Sequence, residues 1–574
     1  MYGCCKVQVV AGRVSEPTRS ERHHLSSEEL AEGYRLACQT YPLSDLKLRV
    51  PAESMTAPQR TQVEGLEVTV RPEPLVKAYY VKLSSPTLSD LRADADRLIE
   101  ALEQQHQVCC NTIDIEVLRD LPPQLRSWDW EAQASVRGEE VVALGPWPRR
   151  QLGLAIDLGT TKIAGYLVDL SSGQTLAAKA IMNPQIACGE DVISRMASVR
   201  GSPAEAKRLQ GLVVEALNQL AVDSCAQVDA KPEEIVEVVV VGNTAMHHLF
   251  LRLPVEQLGV APYVPAIRDS LDIKARDVGL HVAPGAYVHL LPNIAGFVGA
   301  DHVAMLLGTE AWQSEGTVLV LDIGTNTEIC LVNGGDMTSL SCASGPAFEG
   351  GHIKCGMRAA EGAIEHLRLK ESQVDYHTIG ATPPVGLCGS GILDALAQLY
   401  LIGVVDRGGR MGVDHPRVRV LEGEREFVLV SEEERSGGGA ITITQHDIRE
   451  LQLAKGAIRT GVQTLLEAKD LSEEEVNQVI IAGAFGTYID MASAVIIGML
   501  PSLPLDHFRQ VGNAAGMGAK LALISRSKRA EAQALAHRVN YIELAATPHF
   551  VRTFVQANYI GACKIVHGKR EEIN

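Results

Sequence analysis

The same short pattern occurs twice in this chain, and the repeat constrains the fold more than any other feature of the sequence. The segments are LAIDLGTTKIAGYLVDL at 154–170 and LVLDIGTNTEICLVNGG at 319–335. Each predicts an apolar strand ending in aspartate, a turn of Gly with Thr or Asn, and a second apolar strand. Asp157 and Asp322 occupy the same place in the two copies, 322 − 157 = 165 residues apart. This spacing indicates a duplicated domain with a site between its halves, because an array of small repeats has a shorter period.

Each hairpin has the composition of a phosphate-binding turn. Glycine lets a ligand approach the backbone closely, so the turn can direct N–H groups at phosphate oxygens. An aspartate beside the turn can hold a hydrated divalent cation against those phosphates. The alternative, a common turn repeated by accident, is disfavoured because two matched copies are each flanked by apolar strands. Two such hairpins facing each other would form a clamp for a nucleotide.

Two further strands run into glycine-containing turns. VIIAGAFGTYID at 479–490 predicts a turn that can pack closely against a flat adenosine, because side chains there would block the approach. VVVVGNTAMHHLF at 238–250 is a similar element in the first half. The sequence contains neither a GxxxxGK[ST] loop nor a GxGxxG turn in a βαβ context, which excludes the P-loop and Rossmann interpretations.

Composition limits the class of partner. The 574 residues carry a net charge of −17, with 46% apolar and 21% charged residues. This charge argues against nucleic-acid binding and against an anionic membrane surface as a partner. No apolar run approaches the length of a membrane span, and the N-terminus lacks a signal-peptide pattern. We therefore expect a cytoplasmic protein.

The glycine-rich turns resemble the motifs of the actin-like ATPase superfamily, which includes acetate and sugar kinases, the 70-kDa heat-shock proteins and actin. DLGTT at 157–161 is similar to its first phosphate motif, DIGTN at 322–326 to its second, and AGAFG at 482–486 to its adenosine motif. Eight more blocks narrow the resemblance to the reductive activators of corrinoid proteins. These blocks are NPQIACGEDVISRM (183–196), GNTAMHHLFL (242–251), AGFVGAD (295–301), SGPAFEGGHIKCGMRAAEGAI (344–364), GLCGSGILD (386–394), QLAKGAIRTG (452–461), IGMLP (497–501) and GNAAGMGA (512–519).

The resemblance implies a fold and a division of the chain. The fold is α/β, with an actin-like ATPase (ASKHA, duplicated ribonuclease H-like) C-terminal region preceded by a partial β-grasp ferredoxin-like domain and a small α/β middle domain. The implied segments are a partial 2Fe–2S ferredoxin-like domain (1–55), a linker (56–66), the small α/β middle domain (67–150), the first ATPase half (151–315), the second ATPase half (316–530) and a C-terminal tail (531–574).

Site residues carry over from the same motifs. Asp157 and Asp322 would hold Mg²⁺ through water beside bound ATP. Glu328 and Glu349 are candidates for orienting the attacking water; Glu349 is favoured because FEGG places it on a glycine-flanked loop, although either could be a turn or capping carboxylate. The phosphate-binding residues would be Gly159, Thr160, Thr161, Lys162, Gly324, Thr325 and Asn326, and the adenosine would lie against Gly483, Ala484 and Gly486.

An iron–sulfur module is implied at the N-terminus. Family members carry a plant-type 2Fe–2S domain, which needs three closely spaced thiolates and a fourth much later. Cys5 in GCCKVQVVAG matches the third ligand and Cys38 in RLACQ matches the fourth. The upstream pair has no counterpart here, so this ligand set is incomplete. Either the natural protein begins further upstream or the domain has lost its cluster; the recognisable remainder of the module favours the first interpretation.

The leading functional hypothesis is ATP-dependent reductive activation of a corrinoid protein or corrinoid methyltransferase. An electron donor protein or reductant would supply an electron, which the iron–sulfur cluster would pass to Co(II). The alternatives are a small-molecule kinase of the same fold and a nucleotide-gated interaction protein without redox activity. The sequence does not decide the identity of the corrinoid partner, the donor, or whether the protein forms a homodimer.

Overall fold

The computed structural model describes most of the chain. The described residues are 6–18, 21–22, 25–37, 40–49, 70–189, 191–370, 373–435, 439–483, 485–486 and 488–561. Within these ranges, no helix combines the length and the apolarity needed to cross a membrane.

A three-stranded antiparallel sheet forms the N-terminal unit, with strand order β2-β1-β3. Its elements are β1 (Lys6–Ala11), α1 (Ser27–Ala31), β2 (Tyr34–Leu36) and β3 (Lys47–Arg49). The pattern SSEELAEGYRLACQ at 26–39 predicts one short helix, and this prediction is wrong beyond Ala31, where the helix ends. Gly33 has a φ of +85° and its N–H donates to the carbonyl of Leu30, which closes the helix as a left-handed glycine usually does. The chain then re-enters the sheet, where Arg35 pairs with Val7.

A buried ion pair holds this unit together. The Glu21 carboxylate accepts hydrogen bonds from the Arg35 guanidinium at 3.0 and 3.1 Å, and both side chains are almost fully buried. Thr40 Oγ1 and the N–H groups of Thr18 and Leu36 also donate to Glu21. Burial alone would raise the pKa of Glu21, but the hydrogen bonds from Arg35 and the other donors outweigh it and lower the pKa to about 2.

The Glu21 carboxylate should make the N-terminal unit acid-sensitive. Because its pKa is lowered on folding, its contribution is complete above about pH 4.5 and is lost as the pH falls towards 2. We expect Glu21→Gln to destabilise the unit by ~3 kcal/mol at pH 7. Hydrogen exchange of the β1 amides in the full chain measures this. Glu32→Gln, at an exposed position in the same unit, is the control and should leave the exchange rates unchanged.

Residues 70–150 form a small α/β unit around a four-stranded sheet of order β4-β6-β7-β5. All its strand pairs are antiparallel except β5 with β7. Its elements are β4 (Val76–Lys82), α2 (Asp94–His106), β5 (Thr112–Ile113), α3 (Ile115–Ser127), β6 (Glu131–Arg137) and β7 (Glu140–Gly145).

The first half of the remaining chain is built on a six-stranded sheet of order β10-β9-β8-β11-β13-β12. The predicted strands around Asp157 and at 235–241 are its central strands, and its helices pack against them to form the largest apolar core. The elements are β8 (Leu152–Leu158), β9 (Lys162–Asp169), β10 (Thr175–Met182), α4 (Val192–Val199), α5 (Pro203–Ala226), β11 (Ile235–Val241), α6 (Thr244–Leu251), β12 (Leu271–Lys274), β13 (Tyr287–Leu290) and α7 (Ala300–Thr309).

The second half repeats five strands of this sheet in the same order and directions, which confirms the predicted duplication; the sixth strand lies at opposite edges of the two sheets. Its six-stranded sheet has the order β24-β23-β14-β15-β16-β25, and two three-stranded sheets, β18-β17-β19 and β20-β21-β22, are inserted between β16 and β23. The strands are β14 (Thr317–Ile323), β15 (Thr327–Asn333), β16 (Asp336–Cys342), β17 (Ala363–Lys370), β18 (Gln373–Thr378), β19 (Gly386–Leu387), β20 (Val418–Leu421), β21 (Glu424–Val430), β22 (Ile441–Thr444), β23 (Gln478–Ala482), β24 (Phe508–Gly512) and β25 (Val539–Tyr541). The helices are α8 (Gly389–Leu401), α9 (Gln445–Ala468), α10 (Met491–Ile496), α11 (Ala514–Ile524), α12 (Arg526–Arg538) and α13 (Phe550–Ala557).

The two repeated hairpins differ in register by one residue. In both sheets an antiparallel hairpin lies beside a parallel strand, β8 beside β11 and β14 beside β23. In the first hairpin Asp157 lies opposite Ala164, whereas in the second Asp322 lies opposite Glu328. The second turn is one residue shorter, and this places a carboxylate opposite the repeated aspartate in the second half only.

Helices α7 and α11 join the halves. Helix α11 follows β24, an edge strand of the second sheet, but packs on the first sheet. A Cβ atom at Gly518 would lie 1.9 Å from the carbonyl oxygen of Ala304, and one at Gly308 would lie 2.6 Å from that of Ala514. Glycine is therefore required at both positions for the two helices to cross in contact.

A buried ion cluster connects the small α/β unit to the first half. Glu237 of β11 is 1% exposed and lies between Arg137 of β6, at 3.3 Å, and Arg529 of α12, at 2.8 Å. Nearby, Asp114 pairs with Lys274 and Arg276 at 2.9 and 2.8 Å. The cluster fixes the small unit to one half of the duplicated region.

Candidate functional site

The two repeated hairpins face each other across a cleft between the halves. Thr161 Oγ1 in the first turn lies 3.4 Å from Thr325 Oγ1 in the second. The cleft encloses a cavity of about 240 Å³. Most of the predicted site residues line it: Asp157, Gly159, Thr160, Thr161, Lys162, Asp322, Gly324, Thr325, Asn326, Glu328, Glu349 and Gly483.

One of the predicted site residues that the structure describes, Gly486, does not line the cavity. Gly486 lies behind the adenosine turn, where a Cβ atom would meet the carbonyl oxygen of Ala482 at 2.5 Å, so its role in the structure is a tight turn. Ala484, Cys5 and Cys38 lie outside the described residues. The predicted cluster ligands therefore stay predictions.

The first phosphate turn is held by residues that sequence reasoning did not single out. Asn183 Nδ2 donates to the carbonyl of Gly159 at 2.9 Å, and the buried Arg195 donates to the carbonyl of Thr160 at 2.6 Å. Asn243, the N-cap of α6, donates to Thr160 Oγ1 at 2.9 Å. The first two bonds fix carbonyl groups of the turn, and the third fixes the Thr160 hydroxyl. The family blocks at 183–196 and 242–251 were the only sequence signal for these residues.

A group of carboxylates lies at the floor of the cleft. Asp301, at the start of α7, joins Asp157, Asp322 and Glu328 there, and its importance was not predicted. Desolvation raises the pKa of Asp157 to about 6, although a hydrogen bond from Asn513 at 2.9 Å opposes the shift. Desolvation and then the charge of Asp157 raise the pKa of Asp322 to about 7.

The same causes act on the other two carboxylates. Desolvation, followed by the charges of Asp322 and Asp157, raises the pKa of Asp301 to about 8. The pKa of Glu328 is raised well above its usual range by desolvation and by Asp301 and Asp322. Crowded carboxylates of this kind are stabilised as anions when a cation enters.

The donor set fits a hydrated cation. None of the four carboxylates forms an ion pair with a described basic side chain. In the described part of the chain, no three His, Cys, Asp or Glu side chains converge closely enough to hold a metal ion by themselves. Mg²⁺ commonly keeps several waters and takes its remaining ligands from one or two carboxylates and phosphates, which suits this arrangement.

The two candidate water-orienting glutamates have different neighbours in the cleft. Glu349 accepts a hydrogen bond from Thr325 Oγ1 at 2.7 Å, and so contacts the second phosphate turn directly. Glu328 accepts a weaker bond from Ser341 at 3.2 Å and belongs to the carboxylate group. His247 and His248, which follow the GNTAM segment, are buried in α6 and do not line the cleft.

The predicted adenosine side of the cleft carries two stacked aromatic rings. Phe348 and Phe485 stack with their ring centroids 5.2 Å apart, and Gly389 at the start of α8 lies against both. A Cβ atom at Gly389 would lie 1.8 Å from the carbonyl oxygen of Phe348 and 2.6 Å from the Phe485 ring. Gly483 has a φ of +89°, and a Cβ atom there would lie 2.6 Å from an Asp322 carboxylate oxygen.

Gly389→Ala should disturb this wall. The added methyl group must displace Phe348 or Phe485, so we expect a loss of ~1–3 kcal/mol of unfolding free energy and at least about tenfold weaker nucleotide binding. Thermal unfolding and calorimetric titration with Mg·ATP measure the two effects. The control is Gly211→Ala in α5, where a Cβ atom meets nothing within 4 Å. That variant should bind nucleotide normally and be slightly more stable.

Comparison with known proteins decides the family. Residues 65–150, 152–314 and 316–567 match the RACo linker region, the RACo middle region and the C-terminal domain of RACo, which is the ASKHA domain. Corrinoid activation enzyme RamQ of Eubacterium limosum is 33% identical over 545 residues, which are 92% of this chain and 90% of the relative. The chain belongs to the RACo family.

Other relatives support the same assignment. The Methanosarcina barkeri reductase of a Co(II) methylated amine-specific corrinoid protein is 24% identical over 409 residues, 66% of this chain and 70% of that protein. A solved structure of a reductive activator for corrinoid, iron–sulfur protein is 38% identical, with a TM-score of 0.77, and the match covers 97% of this chain and 92% of that one. Residues 3–43 match a 2Fe–2S iron–sulfur cluster binding domain. The predicted family and the predicted ASKHA fold are confirmed.

Proposed function

We propose that the chain is an ATP-dependent reductive activator of a corrinoid protein. It would deliver one electron to the Co(II) corrinoid of a partner, returning the cobalt to Co(I). The observation that carries this proposal is the combination, in one chain, of a two-hairpin cleft with a 2Fe–2S domain match at 3–43. The names of the full-length relatives supply the substrate class.

The cleft would bind ATP with Mg²⁺. Asp157 and Asp322 would hold the metal ion through water, which relieves the mutual repulsion of the carboxylates at the floor. Backbone N–H groups of the two turns would bind the phosphates, because Gly159 and Gly324 leave room for close approach. The Phe348–Phe485 wall would receive the adenosine. Bound Mg²⁺ supplies charge neutralisation for the phosphates.

Hydrolysis then needs mainly a positioned water molecule. We propose Glu349 for this role, because its carboxylate contacts Thr325 Oγ1 at 2.7 Å and reaches into the cleft. Glu328 is a weaker candidate, since burial and then the charges of Asp301 and Asp322 raise its pKa and favour the neutral form, which is a poor base.

Nucleotide binding would couple the halves. The first turn connects two strands of the first sheet and the second turn connects two strands of the second sheet, so a ligand that contacts both turns draws the halves together. A closure of this kind can favour a conformation that is rare in the free protein. That conformation would be the one in which electron transfer to the corrinoid takes place.

The electron route lies mostly outside the described residues. Cys5 and Cys38 are proposed ligands of a 2Fe–2S cluster, which supplies one-electron chemistry when bound. A reduced donor protein or chemical reductant would fill it. We also propose that the protein forms a homodimer, which a measurement of its molecular mass in solution would test.

The test uses the full chain with iron and sulfide supplied during expression. It is mixed without oxygen with a corrinoid protein held as Co(II) and a low-potential reductant, and the absorbance of Co(I) is followed. We expect Co(I) to accumulate faster with ATP than without. If ATP changes nothing while a small molecule becomes phosphorylated instead, the kinase alternative is correct and the proposed function is wrong.

A further inference from the structure

Two cationic side chains enter the cleft from opposite halves. Lys162 follows the first phosphate turn, and Arg358 lies on the loop after Glu349 in the second half. They are the only basic residues among those lining the cavity, where five carboxylates also lie. Within the described residues, neither side chain makes a hydrogen bond or an ion pair. A half-buried charged side chain that makes neither a hydrogen bond nor an ion pair commonly indicates a missing ligand of opposite charge.

The two cations repel each other across the cleft. Burial lowers the pKa of Lys162, and the positive charge of Arg358 lowers it further, while Glu349 acts in the opposite direction. Arg358 is therefore close enough to Lys162 to affect its charged state. An anion between the two would remove the repulsion and replace it with two attractions.

The backbone that carries Arg358 is fixed. The N–H of Met357 donates to the carbonyl of Leu387 at 2.8 Å, and the N–H of Lys354 donates to Asp447 Oδ1 at 2.9 Å. The loop also folds tightly on itself, because a Cβ atom at Gly356 would lie 2.2 Å from the carbonyl oxygen of Gly350. Arg358 is thus presented from a supported loop, as is usual for a residue that binds a ligand.

Charge in the cleft is divided by type. The charge of Asp157 raises the pKa of Asp322, and the charges of Asp322 and Asp157 raise the pKa of Asp301. On the basic side, the charge of Arg358 lowers the pKa of Lys162. A magnesium nucleotide has the complementary division, with a divalent cation for the carboxylates and phosphate oxygens for the basic side chains. Guanidinium groups are particularly suited to phosphate because their N–H groups form paired hydrogen bonds with it.

We propose that Arg358 and Lys162 form a two-sided cation clamp on the phosphate chain of the nucleotide, and that Arg358 makes binding selective for the triphosphate over the diphosphate. The inference rests on the proposed nucleotide site. The triphosphate carries one more phosphate group and more negative charge, so it gains more from a clamp that closes across both halves. Arg358 would then connect the presence of the third phosphate to closure of the cleft.

The test compares Arg358→Gln with the wild-type full chain by calorimetric titration with Mg·ATP and with Mg·ADP. We expect Arg358→Gln to weaken ATP binding by ~10–100-fold, the range for a lost charge-assisted hydrogen bond, and ADP binding by less than about threefold. Arg358→Lys keeps the charge without the paired donors and should lose an intermediate amount. Arg368→Gln removes an exposed arginine of β17 and should change neither affinity.

The outcomes separate this inference from the proposed function. Equal losses for ATP and ADP, or no loss for either, would overturn the role of Arg358 while leaving the nucleotide site intact. If the wild-type chain binds neither nucleotide, the proposed function itself fails. If Arg358→Gln does not fold, Arg358→Lys provides the same comparison, and an unchanged ratio of ATP to ADP affinity in that variant would overturn the inference.

Discussion

Asp322→Asn should reduce Mg²⁺-dependent ATP turnover by at least about 100-fold, the size of effect seen when one preorganised charged or polar group is removed from a transition-state site. Asp322 ends the central strand β14 and lies in the cleft beside Asp157 and Asp301. The amide keeps the shape of the carboxylate but cannot attract the cation or its bound water. Phosphate release measured over a range of Mg²⁺ concentrations checks this, and the concentration needed for half-maximal rate should rise.

The matched control is Asp414→Asn, at an exposed position outside the cleft. It should leave turnover unchanged. The variant in the cleft should also be at least as stable as the wild type without nucleotide, because one of several repelling carboxylates is gone. Full activity in Asp322→Asn would rule out the proposed metal site, whereas loss of activity together with unfolding would leave Glu349→Gln as the variant that tests the same cleft.

Glu237→Gln should destabilise the protein by ~3–5 kcal/mol, the cost of breaking a buried ion pair on one side. Glu237 neutralises both Arg137 of the small α/β unit and Arg529 of α12, and its carboxylate is 1% exposed. Without it, two guanidinium groups remain inside the protein with less opposing charge. Denaturant unfolding measures the loss, and hydrogen exchange should increase at the contact of β6 with β11 before it increases in the sheet of the second half.

Glu131→Gln gives the matching exposed case. Glu131 pairs with Lys82 at 2.6 Å on the surface of the same small unit. Exposed ion pairs contribute little, so the stability should not change measurably. If Glu237→Gln behaves like Glu131→Gln, then the buried cluster does not hold the small unit in place.

Much of the fold followed from local pattern. The apolar strands before Asp157 and Asp322, their turns and the strand at 478–482 were predicted because period, length and glycine position agree in each of them. The helix over 26–39 was wrong because the strand pairing of Tyr34–Leu36 and the burial of Arg35 against Glu21 depend on residues far away in sequence. Tertiary contacts of this kind override local helix preference.

The sequence predicts the turn residues whose backbone would contact the ligand. It does not predict the side chains that support those turns from other segments. Gly159 and Gly324 can be predicted from the sequence alone, because few other roles require glycine at that point of a hairpin. Asn183 and Arg195 reach the first turn from a separate segment, and nothing in their own neighbourhood indicates that contact. Asp301 and Arg358 became candidates only when the structure brought them into the cleft.

The one-residue difference between the two turns makes the two halves of the site unequal. The longer first turn ends in Lys162, whereas the shorter second turn ends in Asn326 and leads directly into a strand that carries Glu328. The aromatic wall also belongs to the second half alone. A duplicated fold could in principle accept its ligand in either of two orientations related by the internal pseudo-symmetry. Here the two ends of the cleft are chemically different, so only one orientation of the nucleotide is favoured. The reversed orientation would bring phosphates towards Phe348 and a neutral base towards Lys162.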